Sequence, residues 1–191
     1  MPSPASSRTV YFGYGSNLWR DQMRKRCPES TYVGVGRLDK YRWIISERGY
    51  ANVVPSSPSS NDYVYGLIYT LSSSDERRLD VNEGVPETYA KEMIDVRTWS
   101  EAQLKKVGSL KQEDSKPEKM LVYVDHKRLE EAKPKKEYIY RMNMGIHDAI
   151  AAGVPRSYVD EVMRRFIPPQ EDEDGGARQL AEKQAENFEE E

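Results

Sequence analysis

Eight residues near the N-terminus, Tyr11-Phe12-Gly13-Tyr14-Gly15-Ser16-Asn17-Leu18, form the pattern best suited to chemistry in this 191-residue chain. Thr9 to Tyr14 is rich in β-branched and aromatic residues, which fit a half-buried strand. Gly15-Ser16-Asn17 then breaks the run. Glycine lets a ligand approach the main chain, and Ser16 or Asn17 can cap a following helix whose stripe is Trp19, Met23 and Cys27. A strand, a glycine turn and a helix start leave backbone N–H groups aimed at one point, where a carboxylate, phosphate or oxyanion is favoured. The second chemical feature is Leu79-Asp80-Val81-Asn82-Glu83-Gly84-Val85-Pro86, which sets Glu83 on a glycine-proline turn beside apolar neighbours. Burial raises a carboxylate's pKa and makes it a better base near neutrality. Each feature also has a plainer reading, as an ordinary strand-to-helix turn and as a solvated acid at a helix end.

The elements that must position these residues follow from periodicity. Thr31 to Ser46, Asp62 to Leu71, Tyr89 to Ser100 and Lys119 to Asp125 read as further strands, with Tyr63, Tyr65, Leu67, Tyr69 and Leu71 on one face. Ser73 to Asn82 reads as a helix in which Ser73 and Glu76 can form a capping box, ended by Gly84 and Pro86. Tyr138 to Ala152 and Pro155 to Phe166 carry helical stripes, the second with Pro155 in its first turn. Glu101 to Glu118 reads as a lysine-rich loop or excursion. The pattern predicts an α+β fold, with a mixed, mostly antiparallel curved sheet or small β-barrel flanked by helices. Residues 1–8 are expected to be a flexible N-terminus, 9–169 one domain, and 170–191 an acidic solvated tail, partly helical from Arg178.

Composition narrows the function classes. Between Gln170 and Glu191, nine acids face two bases, a local charge of −7 that leaves +4 for the remainder of a chain whose total is −3. That mild positive balance suits an anionic small molecule, whereas nucleic-acid binders concentrate basic residues on one face, so no nucleic-acid partner is expected. Lys133-Pro134-Lys135-Lys136 is the one tight basic cluster and reads as a solvated loop near the site. No long apolar run or signal-peptide pattern is present, which predicts a cytoplasmic protein without a membrane partner. One cysteine, Cys27, and two histidines, His126 and His147, point to a metal-free mechanism. Apolar helices and tyrosines permit a homodimer without requiring one.

Together, Tyr11-Phe12-Gly13-Tyr14-Gly15-Ser16-Asn17-Leu18 and Leu79-Asp80-Val81-Asn82-Glu83-Gly84-Val85 resemble the γ-glutamylcyclotransferase (AIG2-like) family. Its pattern is a strand ending in Y-F-A/G-Y-G-S-N-L, then L-D-x-x-E-G-V, an aromatic strand, and a late tyrosine before a Met-Gly-bearing helix. Tyr89, Tyr138 and Met144-Gly145 match those last parts, so the likeness runs from Val10 to Pro168, with Glu101 to Lys136 uncovered. The resemblance implies a cofactor-independent enzyme that cyclises a γ-glutamyl group to 5-oxoproline and frees an amine. It implies that Glu83 is the acid/base and that Tyr11, Phe12, Gly13, Tyr14, Gly15, Ser16, Asn17 and Tyr138 hold the substrate. In the residues themselves, N–H groups of Gly15, Ser16 or Asn17 are open to a carboxylate or to the transient oxyanion. Three rivals stand beside it: a serine hydrolase on Ser16, a non-catalytic γ-glutamyl or anion-binding module, and a cyclotransferase for a γ-glutamylated biosynthetic intermediate. The first lacks the Gly-x-Ser-x-Gly elbow.

Overall fold

Among the described residues the strands are β1 (Thr9–Gly13), β2 (Thr31–Asp39), β3 (Tyr41–Ile45), β4 (Ala51–Pro55), β5 (Tyr63–Leu71), β6 (Ala90–Ser100) and β7 (Lys116–Val124), and the α-helices are α1 (Arg20–Arg26), α2 (Ser73–Asn82), α3 (Glu101–Val107), α4 (Lys136–Ala152), α5 (Arg156–Glu161) and α6 (Gly175–Glu186). The computed structural model describes residues 7–107, 110–169 and 175–186. Five strands close a barrel in the order β1-β5-β2-β6-β7. Its neighbours are antiparallel except where β1 meets β7 in parallel, with Tyr11 opposite Leu121. The expected α+β fold with a small, mostly antiparallel barrel therefore forms. Closure removes the unpaired edges that an open sheet would expose.

Alternation fills the barrel. Phe12, Val35, Leu67, Val96 and Val122 are fully buried. The Phe12 ring lies over Gly36 and Gly66; a Cβ at Gly66 would stand 2.6 Å from both that ring and the Gly13 carbonyl. These two glycines make room for the aromatic core.

The structure corrects several boundaries. Thr31 to Ser46 is two strands, because Lys40 adopts a left-handed φ of 67° that breaks the run after Asp39. The second piece, β3, leaves the barrel and pairs with β4 as a separate hairpin, and β4 has no counterpart in the sequence reading. The supposed loop from Glu101 to Glu118 contains α3 and the start of β7. Pro155 to Phe166 divides into α5 and a 3-10 turn at Met163–Arg165, with Pro155 at the cap position. Ser72, not Ser73, caps α2 by accepting from the Asp75 N–H at 3.1 Å. In the region read as an acidic tail partly helical from Arg178, a helix does form, α6 from Gly175, and it buries Ala181, Gln184 and Ala185 against α1 and α4. Alanines at i and i+4, Ala181 and Ala185, allow that close approach, while Glu182 and Glu186 pair with Arg178 and Lys25. Among the described residues, no helix is long and apolar enough to cross a membrane.

Candidate active site

The strand-glycine-turn segment lies against α4. After β1, a 3-10 turn at Ser16–Leu18 crosses α4 at Gly145, where a Cβ would meet the Leu18 Cβ at 2.9 Å and the Trp19 nitrogen at 3.1 Å. Only glycine allows that approach. Two helical turns earlier on α4, Tyr138 then reaches the turn, and its hydroxyl accepts from the N–H of Ser16 at 3.1 Å and of Ala51 at 3.3 Å. Both lone pairs are occupied, so the hydroxyl proton is what Tyr138 has left to donate into the cavity it lines.

Glu83 reaches the same cavity from the end of α2. Its N–H bonds the Leu79 carbonyl at 2.8 Å, the Val85 N–H bonds the Asp80 carbonyl at 2.9 Å, and Gly84 takes the left-handed φ of 62° that the reversal requires. Thr88 closes the turn onto Gly84 at 2.8 Å, and the Val85–Pro86 bond is cis. The hydrogen bonds of this turn fix the backbone from which the Glu83 side chain leaves. Glu83, the glycine turn and Tyr138 border one cavity of about 240 Å³. Among the described residues, nothing hydrogen-bonds or ion-pairs the Glu83 carboxylate. Burial raises its pKa above the ordinary 4.5, opposed by the charges of Arg26, Arg141 and Arg48. An unpaired carboxylate with a raised pKa is suited to taking a proton.

Polar groups around the turn are held in order. Asn17 donates to the Tyr11 hydroxyl at 2.9 Å, and Gln22 donates to Ser16 Oγ at 3.0 Å and to Asn17 Oδ1 at 2.8 Å. Arg141 donates to Ser16 Oγ at 3.1 Å and forks onto both Glu137 oxygens at 3.0 and 3.3 Å. Arg26 is buried and bonds Asn17 Oδ1 at 3.4 Å. Arg48, which lines the cavity, and Lys135 lie over the ring of Tyr50, another lining residue, 5.7 and 5.0 Å from its centre. Tyr14 and Tyr89 spend their hydroxyl protons on the carbonyls of Tyr123 and Ala51, at 2.6 and 2.8 Å, and so act as walls. The cavity thus offers an unpaired base, the Tyr138 O–H and an excess of cations. That set suits an anionic substrate undergoing proton transfer.

Of the residues expected from sequence, Tyr11, Tyr14, Gly15, Ser16, Asn17, Glu83 and Tyr138 line this one cavity, whereas Phe12 and Gly13 do not. Strand alternation turns the Phe12 ring into the barrel, and the Gly13 carbonyl faces Gly66. The Ser16 N–H, expected to be open to an anion, is committed to Tyr138. Arg26, Arg48, Tyr50, Tyr89, Tyr123 and Arg141 also line the cavity and were not anticipated as site residues. Two of them left a signal: Tyr89 matches the aromatic strand of the family pattern, and Arg141 sits one helical turn after Tyr138 and shares its face. A Ser16 nucleophile finds no base: Ser16 Oγ accepts two donors, His126 pairs with Glu92 on the surface, and His147 is exposed beside Asp148. Among the described residues, no cluster of His, Cys, Asp or Glu could hold a metal ion.

Comparison with known proteins agrees with this geometry. The family model described as gamma-glutamyl cyclotransferase, AIG2-like, matches residues 11–142. A mouse γ-glutamylcyclotransferase is 30% identical over 83 residues, covering 40% of this chain and 44% of that protein. The chain therefore spans less than half the length of the curated relatives it matches. A solved γ-glutamyl cyclotransferase superposes with a TM-score of 0.68 at 22% identity, covering 93% of this chain and 99% of the other. A human protein solved as uncharacterised gives 0.68 at 24% identity, with 93% and 98% covered. At those identities the superpositions speak for the fold. The family match, which spans both the glycine turn and Glu83, carries the assignment: this chain belongs to the gamma-glutamyl cyclotransferase, AIG2-like family.

Proposed function

We propose that this protein is a cyclotransferase that converts the γ-glutamyl group of a γ-glutamyl amino acid or amine into 5-oxoproline, with Glu83 as the acid/base. The observation that carries the reading is the unpaired Glu83 carboxylate, with its pKa raised by burial, facing the Gly15–Asn17 turn and Tyr138 across one small cavity. The substrate's α-amine is mostly an ammonium at neutral pH and cannot attack until it loses a proton. Glu83 accepts that proton. The α-nitrogen then bonds to the γ-carbonyl carbon, and the carbonyl electrons move to oxygen, where the Tyr138 O–H is placed to donate. The attacking nitrogen gives up a second proton, the C–N bond to the departing amine breaks, and both protons end on that amine. No water, cofactor or oxidant enters the balance. Because nucleophile and electrophile share one molecule, the protein need only fold the substrate and exclude water.

The cations around Tyr50, Arg48 in the lining and Lys135 over the same ring, favour a leaving group that carries its own carboxylate. The same mechanism would serve a γ-glutamylated biosynthetic intermediate. The test is mass-spectrometric detection of 5-oxoproline and free amine from γ-glutamyl amino acids, γ-glutamyl amines and glutathione. Equimolar release of both products supports the reaction. Binding of these compounds without any release would favour a binding module.

A further inference from the structure

The helix α6 lies outside residues 11–142, the span that the family model matches, yet it is bonded directly to one of the cavity's cations, Arg26, and through Glu137 to another, Arg141. Arg26 donates from Nη2 to the Gln184 carbonyl at 2.8 Å and from Nε to the Ala185 carbonyl at 3.3 Å, in the last turn of α6. A helix C-terminus carries partial negative charge and unpaired carbonyls, so a buried guanidinium is stabilised there. From the same turn, the Gln184 amide, with its nitrogen toward α4, donates to both Glu137 oxygens at 2.8 Å. Glu137 in turn grips Arg141, and Arg141 holds Ser16 Oγ at 3.1 Å. All four side chains, Arg26, Gln184, Glu137 and Arg141, are less than a tenth exposed.

We propose that α6 is a positioning element of the cavity: its terminal carbonyls hold Arg26 beside Glu83 but out of an ion pair with it, and Gln184 fixes the Glu137–Arg141 clamp behind Ser16. Among the described residues no salt bridge joins Arg26 to Glu83, although the two charges act on each other. With α6 undocked, Arg26 loses two of its three acceptors, and the nearby carboxylate that can replace them is Glu83. A direct pair of that kind lowers a carboxylate's pKa by about 1–3 units and occupies the base. The inference rests on the reading of Glu83 as the base.

The test uses the full chain with Ala181→Glu, which forces a charge into the α6 interface, and Gln184→Ala, which removes only the amide. In Ala181→Glu the acidic limb of the kcat/KM profile for 5-oxoproline release moves down by about 1–3 pH units and kcat falls about tenfold or more, while far-UV circular dichroism is largely kept. Gln184→Ala raises KM about threefold or more, through loss of the clamp. An unmoved limb with α6 displaced, or a Gln184→Ala variant indistinguishable from wild type, overturns the proposal, and Gln184→Ala decides if Ala181→Glu does not fold. Absence of release from wild type would count against the function instead. The inference is then read without turnover, by NMR of the Arg26 Nε–H proton. Its slow exchange in wild type, lost in Ala181→Glu, supports the proposal, and its persistence there refutes it.

Discussion

Replacing Tyr138 by Phe separates two roles of one hydroxyl. The ring remains packed at a right angle to Tyr50, with centroids 5.1 Å apart, and beneath Arg141 at 5.0 Å, so the variant changes polar contacts alone. The N–H groups of Ser16 and Ala51 then lose their acceptor. A buried donor left unsatisfied costs about 1–3 kcal/mol, and because both groups border the cavity, where water can enter, the total should lie near the low end, about 2 kcal/mol. At this chain length that corresponds to a fall of roughly 4–8 °C in Tm. If the same hydroxyl donates to the developing oxyanion, kcat should drop about 100- to 1000-fold with little change in KM. Steady-state kinetics of 5-oxoproline release and a thermal melt measure both quantities. A kcat within about fivefold of wild type, or a loss confined to KM, would show that Tyr138 does not stabilise the transition state.

Four further outcomes follow from the same geometry. Gly15→Ala would place a Cβ 2.8 Å from the Tyr138 hydroxyl and 3.1 Å from the Ala51 Cβ; it should lower kcat about tenfold or more while Tm stays within a few degrees, as kinetics and a melt would show. Asp75 is buried with neither carboxylate oxygen hydrogen-bonded, and burial raises its pKa above 3.8. A raised folded pKa means stability that is present at low pH and is lost as pH rises through that pKa, so Asp75→Asn should gain about 1–3 kcal/mol at pH 7 and progressively less toward pH 4, measured by urea denaturation. Arg48→Glu should raise KM for γ-glutamyl amino acids more than for neutral γ-glutamyl amines, and equal effects on both would place the leaving-group carboxylate elsewhere. The raised pKa of Glu83 has the same sign for stability as that of Asp75, so Glu83→Gln should melt higher than wild type at pH 7 and match it more closely near pH 4.

The parts of the site legible in the sequence are those set by neighbours along the chain. Gly15-Ser16-Asn17 and Glu83-Gly84 announce their turns because glycine chemistry is local, and the Tyr138 stripe shows its helix by period. Lys40 hides the break in the second strand, since nothing marks a lysine as the residue that adopts a left-handed φ. Without that break the hairpin is invisible, and with it Tyr50 and the Ala51 N–H that meets Tyr138. Arg26 reads as an ordinary base in the last turn of a helix; its burial depends on α6, more than 150 residues away in the chain. The acids of the tail masked the Ala181, Gln184 and Ala185 stripe, because composition averages over the faces of a helix that packing separates.

The most direct test of the account is single-turnover 5-oxoproline formation by Glu83→Gln alongside wild type, with substrate binding measured on both. Glutamine keeps the shape of the side chain and removes the base. If Glu83 is the base, the variant keeps its affinity and a fold at least as stable as wild type, and its turnover falls about 1000-fold or more. Turnover within about tenfold of wild type would contradict it and move the proton transfer to another group in the cavity.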